Sequence, residues 1–191
     1  MKQFIFEIKD FIDTDFLHDK VMQIFTTEWA ESDDATALAN FTDNENYYIN
    51  VENDTYLKSI RAKYPKLKPY IKILKSEKGI WPAHVDTWRQ TAINIPIKNY
   101  NNCLTHFYDS GIEVQSMESS FGSRFGTWYS NDYVKYIEPG KLIFSHKLLY
   151  PTLVNTSKPH SIANSSDDTR IIASWTYDSD YYTAVEELSN A

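Results

Sequence analysis

Thr91-Ala92-Ile93-Asn94-Ile95-Pro96-Ile97 reads as a strand in which every second residue is β-branched. Successive side chains in a strand point to opposite faces. Thr91, Ile93, Ile95 and Ile97 therefore form one face, suited to packing behind a sheet against helices. Ala92, Asn94 and Pro96 form the other. Outward from this segment the same texture recurs, rich in Ile, Val, Thr, Tyr and Trp: Tyr70–Leu74, Trp81–Asp86, Leu104–Tyr108, Gly126–Tyr129, Leu142–Phe144, Thr152–Asn155, His160–Ala163 and Arg170–Tyr177. Lys78-Gly79, Pro139-Gly140 and the run Asn164–Asp168 supply turns between them. Many short strands with regular turns predict a mainly β sandwich or barrel, and the count fits a jelly roll, or double-stranded β-helix.

The first third has a different pattern. Phe4, Phe6 and Ile8 alternate with polar residues, as in a half-buried strand. Asp13 or Thr14 caps a helix that carries Phe16, Leu17, Val21, Ile24 and Phe25 on one face. Tyr56, Leu57, Ile60 and Tyr64 have helical spacing, and Pro65 ends that helix because the residue before a proline avoids the α region. The expected organisation is one domain over 1–191: a strand-and-helix support (1–67), a jelly-roll core (68–180) and a C-terminal tail (181–191).

A chain of 191 residues, 42% hydrophobic and 15% aromatic, is long enough to bury a core. Its net charge of −7 argues against a protein whose main work is gripping nucleic-acid phosphates. The lysines between Lys58 and Lys78 read as a solvated helix and strand surface. With one cysteine, Cys103, neither an intrachain disulfide nor a cysteine-based zinc site exists, and Cys103 reads as a small core residue. Glu7, Asp10, Asp13 and Asp15 spoil the N-terminus as a targeting peptide. No apolar run reaches bilayer length. The expectation is a cytoplasmic protein with no membrane partner and no nucleic-acid partner.

Trp81-Pro82-Ala83-His84-Val85-Asp86-Thr87-Trp88 contains an H-x-D pair. On a strand, residues i and i+2 share a face, so His84 and Asp86 present an imidazole and a carboxylate side by side. A histidine from a neighbouring strand would complete a 2-His-1-carboxylate triad, which suits non-haem Fe(II) and leaves coordination positions open. Pro159-His160-Ser161-Ile162 follows 76 residues after His84, and Arg170 ten residues after His160. Antiparallel strands joined by the Asn164–Asp168 turn would bring Arg170 into the cavity of His160. A buried guanidinium needs a partner, and a carboxylate gripped through two hydrogen bonds is its best geometric match.

H-x-D, a distal His and an Arg ten residues on resemble the 2-oxoglutarate/Fe(II)-dependent dioxygenase superfamily. Thr169-Arg170-Ile171-Ile172-Ala173-Ser174-Trp175-Thr176-Tyr177 is similar to the last core strand of prolyl-hydroxylase-like members. Val154-Asn155-Thr156-Ser157-Lys158-Pro159-His160-Ser161-Ile162 is similar to the distal-His strand of small bacterial and phage-type members. The resemblance spans roughly residues 70 to 180. It implies His84, Asp86 and His160 as Fe(II) ligands, Arg170 on the far carboxylate of 2-oxoglutarate, O₂ as co-substrate, and hydroxylation of a C–H bond with release of succinate and CO₂. Asp86 argues against halogenation, because halogenating relatives lack that carboxylate. Relatives often carry a hydroxyl two residues after the Arg. Ile172 stands there, leaving Ser174 or a tyrosine elsewhere to help, while strand parity offers Asn94 as a further co-substrate contact.

Two other functions fit the same fold: a noncatalytic jelly-roll binding protein that retains a metal site, and a cupin-type metalloenzyme with additional His ligands and no need of Arg170. His18 is expected on an exposed helix face, His106 in a structural role with pocket lining as the alternative, and His146 in a structural role near a strand end with the site's rim as the alternative. Trp88 and Arg89 serve either substrate contact or packing and ion pairing. Phe121, Phe125, Trp128, Tyr129, Tyr133 and Tyr136 read as core and loop packing, with 121–126 as an alternative substrate lid. The substrate class stays open between a peptide or protein side chain and a small amino-acid-like metabolite.

Overall fold

The computed structural model describes residues 3–26, 41–43, 46–81, 83–86, 89–109, 111–117 and 133–190. In chain order the elements are β1 (Ile5–Glu7), α1 (Thr14–Thr26), β2 (Phe41–Asp43), β3 (Asn46–Asn50), α2 (Thr55–Lys63), β4 (Leu67–Ser76), β5 (Gly79–Ile80), β6 (His84–Asp86), β7 (Thr91–Lys98), β8 (Cys103–Tyr108), β9 (Gly111–Met117), β10 (Tyr133–Pro139), β11 (Leu142–His146), β12 (Thr152–Asn155), β13 (His160–Asn164), β14 (Arg170–Tyr177) and α3 (Tyr181–Ser189). They form two antiparallel sheets of a jelly roll. One has the order β1-β12-β7-β14-β4-β3-β2; the other runs β11-β8-β13-β6-β10-β9, with β5 beside β13. Strands β2, β3, β5, β9 and β10 were not expected from sequence, β5 beginning at Gly79 where a turn was expected, and the expected strand Gly126–Tyr129 lies outside the described residues.

The first sheet is backed by helices. Ile93, Ile95 and Ile97 of β7 join Ile71 and Ile73 of β4 and Ile171, Ala173, Trp175 and Tyr177 of β14. Leu17, Val21 and Ile24 of α1, Leu57 and Ile60 of α2, and Tyr181, Ala184 and Leu188 of α3 cover them. The alternation read in 91–97 thus sets the outer face of this sheet. Asp54 caps α2 by accepting from the Leu57 amide, and Asp180 caps α3 by accepting from the Tyr182 and Thr183 amides. The segment expected as a C-terminal tail is therefore a docked helix. No helix among the described residues is long and apolar enough to cross a membrane.

The inner face has a different character. Cα register puts Lys72, Ser174, Asn94 and Thr152 in one row across β4, β14, β7 and β12. Asn94, Thr152, Arg170, Ser174 and Thr176 are all buried. A small apolar cluster of Phe4, Ile5, Phe107 and Val154, with Phe144 against it, closes one side of the space between the sheets. Burying so many polar groups is unfavourable unless each finds a partner. That marks the inner face as the place to look for chemistry. Of the lysines from Lys58 to Lys78, Lys58, Lys66, Lys68 and Lys78 pair with Glu52, Glu187, Asp178 and Asp167. Lys72 departs from the expected solvated surface, because its strand parity turns it inward.

Candidate metal centre

Strands β6 and β13 pair with His84 opposite His160, on adjacent strands of the second sheet. Directly opposed residues on paired strands share a face, so the two imidazoles meet, their ring centroids 4.4 Å apart. Asp86, two residues along β6, falls on the same face. One donor atom from each of His84, Asp86 and His160 lies within 4.8 Å of the others, so the three can hold a metal ion. Oδ1 of Asp86 is 3.7 Å from Nε2 of His84.

The surroundings prepare these groups to ligate. Nδ1 of His160 lies 2.8 Å from the Lys158 carbonyl. A carbonyl only accepts, so Nδ1 carries the proton and Nε2 keeps its lone pair. Burial pushes the His160 imidazole down to about 4, with the nearby His84 ring adding to the shift, so the ring is neutral at physiological pH. Burial alone would raise Asp86, but Arg89 and both histidines together hold its carboxyl below the usual range. Two neutral-capable imidazoles and one carboxylate are the donor set that non-haem Fe(II) takes.

Arg170 is 2% exposed on the inner face of β14, and its Nε has no hydrogen-bond partner. Burial pushes the guanidinium down to about 10, while the Cys103 thiol from the second sheet opposes the shift. From sequence, β13 and β14 are antiparallel neighbours across the Asn164–Asp168 turn. In the structure that turn crosses between sheets: β13 pairs with β8, β6 and β5, whereas β14 pairs with β4 and β7. His160 and Arg170 both line the inter-sheet space, from opposite walls.

Ser174 and Asn94 are joined to each other rather than to Arg170. The Ser174 hydroxyl donates to Oδ1 of Asn94 at 2.7 Å and accepts from Nη1 of Arg89 at 3.0 Å. Ser174 is four residues along β14 from Arg170, roughly 13 Å at the rise of an extended strand. Both polar residues therefore belong to the metal end of the space. Lys72 stands in the same row; burial and then the charge of Arg89 push its ammonium down to about 8, against the opposing pull of Asp86. Sequence reasoning missed Lys72, although parity within Tyr70-Ile71-Lys72-Ile73 separates it from the helix-facing isoleucines. His106 bonds Ser145 at 2.8 Å and alternates with the inward-facing Thr105 and Phe107, so it points away from the inter-sheet space. His146 is buried and stacked on Phe144 rather than at the rim, and His18 sits beside Asp19 on an exposed face of α1. Trp88, Phe121, Phe125, Trp128, Tyr129 and the lid reading of 121–126 lie outside the described residues, as do the side chains of Tyr133 and Tyr136.

No protein-family model and no curated protein sequence matches the chain. Among solved structures, the non-haem α-ketoglutarate-dependent epimerase SnoN, seen with Fe³⁺, α-ketoglutarate and nogalamycin RO, aligns over 91% of this chain and 78% of its own, at 12% identity and a TM-score of 0.46. A Pseudomonas putida prolyl-4-hydroxylase aligns over 91% of both chains, at 7% identity and 0.42. AviO1 from Streptomyces viridochromogenes aligns over 93% of this chain and 91% of its own, at 13% and 0.40. At such values these likenesses carry no functional argument, and the chemistry rests on the side chains of this chain.

Proposed function

We propose that the chain is an Fe(II)- and 2-oxoglutarate-dependent oxygenase that hydroxylates a C–H bond, with succinate and CO₂ as co-products. The substrate class is a peptide or protein side chain or a small amino-acid-like metabolite. What carries the proposal is one combination: a three-residue ligand group on one sheet and, on the inner face of the other, a buried guanidinium with an unpartnered Nε. The donor set fits the metal, and the open Nε fits the far carboxylate of a dicarboxylic co-substrate. Iron and 2-oxoglutarate, when bound, would supply the O₂ activation that an unreactive C–H bond requires.

The protein's own residues then have distinct tasks. His84, Asp86 and His160 hold the metal, and the Lys158 carbonyl fixes the His160 tautomer. Arg170 orients the co-substrate from the opposite wall. The apolar cluster around Phe107, whose ring lies 6.1 Å from that of His160, keeps one flank of the metal dry. A cupin-type centre would need further histidine ligands, and among the described residues no histidine beyond His84 and His160 joins the metal-holding group. Anaerobic Fe(II) plus 2-oxoglutarate is expected to give a visible charge-transfer band, lost in His84→Ala and weakened in Arg170→Ala. Absence of both the band and any conversion of 2-oxoglutarate to succinate would overturn the proposal.

A further inference from the structure

The ligand carboxylate has a second, tightly held oxygen. Nε of Arg89 donates to Oδ2 of Asp86 at 2.6 Å, with the two side chains only 11% and 7% exposed. Oδ1 is the oxygen turned toward His84. The other arm of Arg89, Nη1, donates to the Ser174 hydroxyl, whose single proton goes to Asn94. The chain of donors runs one way, from Arg89 into the helix-backed sheet. The backbone around Arg89 is pinned as well. The Asp86 amide donates to the Thr156 carbonyl at 3.0 Å, the Thr156 hydroxyl to the Arg89 carbonyl at 2.8 Å, and the Thr156 amide to the Gln90 carbonyl at 3.0 Å.

We infer that Arg89 is a positioning residue that keeps Asp86 to one metal-facing oxygen and ties its orientation to the helix-backed sheet through Ser174 and Asn94. The inference rests on the metal-binding reading above. A carboxylate with both oxygens free can swing or chelate, and chelation would occupy a coordination position that the co-substrate needs. A charge-assisted bond to one oxygen removes that freedom. Thr156 holds the backbone at Arg89 and Gln90, and so supports the pairing of guanidinium and carboxylate.

Co(II) gives a test that needs no turnover, because its visible absorption reports coordination and its perturbation reports 2-oxoglutarate binding. Wild type is expected to bind Co(II) with a spectrum that His84→Ala abolishes. In Arg89→Met the spectrum should change shape, and 2-oxoglutarate affinity should fall by about 10–100-fold, the usual range for residues that support metal ligands. Arg89→Lys should recover part of the loss and serves if the Met variant folds poorly. Thr156→Val removes the hydroxyl bond to the Arg89 carbonyl but keeps the guanidinium; it should shift spectrum and affinity in the same direction as Arg89→Met, by a smaller factor. Wild-type spectrum and affinity in both Arg89 variants would overturn the inference. If wild type binds no Co(II) through His84, the oxygenase reading falls and this inference with it.

Discussion

Each residue of the candidate metal triad is defined as much by what surrounds it as by what it could donate. His160 shows this through pH. Its imidazole, pushed down to about 4 by burial and by His84, refuses a proton that the unfolded chain accepts near its ordinary value of 6.5. The contribution to stability is therefore complete above pH 6.5 and is lost as the pH falls toward 4. Buried His146, also shifted down, adds the same sign. In metal-free protein, urea midpoints should fall between pH 6.5 and 4, and His160→Gln should flatten part of that slope; an unchanged slope would show that the ring is not excluded from protonation. That His84, Asp86 and His160 come together was legible because strand parity and chain order need no tertiary knowledge; the wall that carries Arg170 was not, because the Asn164–Asp168 turn crosses between sheets. Arg89 was not assignable, since its backbone is held by Thr156, which lies more than sixty residues away in sequence.

At the scale of elements, the sequence was readable where periodicity was strong. Thr152–Asn155 and Arg170–Tyr177 have the bounds expected, and most other expected strands and helices among the described residues differ by a few residues at their ends. The C-terminal helix was missed although its signals are present: Asp180 as cap, then Tyr181, Ala184 and Leu188 on one face. A nine-residue helix with a small residue in its apolar stripe makes a weak pattern in isolation, and packing on the sheet supplies most of its stability. Tyr177 donates to Glu187 at 2.8 Å, and Lys66 pairs with the same carboxylate, anchoring the helix to β14 and to the turn before β4. Leu188→Ala is expected to cost about 2–5 kcal/mol, as buried Leu-to-Ala changes do. Urea denaturation measures it, and a loss well below 1 kcal/mol would mean that α3 is only loosely docked. The crossing of the Asn164–Asp168 turn between sheets was beyond sequence pattern, because a short polar turn serves a hairpin and a sheet-to-sheet corner equally well.

Across the whole molecule, the two faces of the helix-backed sheet divide the work. The outer face is a continuous apolar core, and the inner face is a wall of buried polar groups that includes Arg170. A desolvated guanidinium with an open Nε does not help the metal-free protein fold. Its depression to about 10 means that at neutral pH the charged form is held against its preference, at a cost to the native state. Replacing such a group by an apolar residue of similar length is often neutral or stabilising. Arg170→Met should therefore melt at the same temperature as wild type or higher when no ligand is present. With Mn(II) and 2-oxoglutarate added, the order should reverse, because a ligand that binds only the folded state stabilises it in proportion to the logarithm of one plus the ratio of its free concentration to its Kd. Wild type should gain several degrees and Arg170→Met much less, while Mn(II) alone should stabilise both equally. A scanning-fluorimetry series over these conditions separates the cases: destabilisation of the ligand-free variant would make Arg170 a structural residue, and equal gains with 2-oxoglutarate would remove it from the co-substrate site.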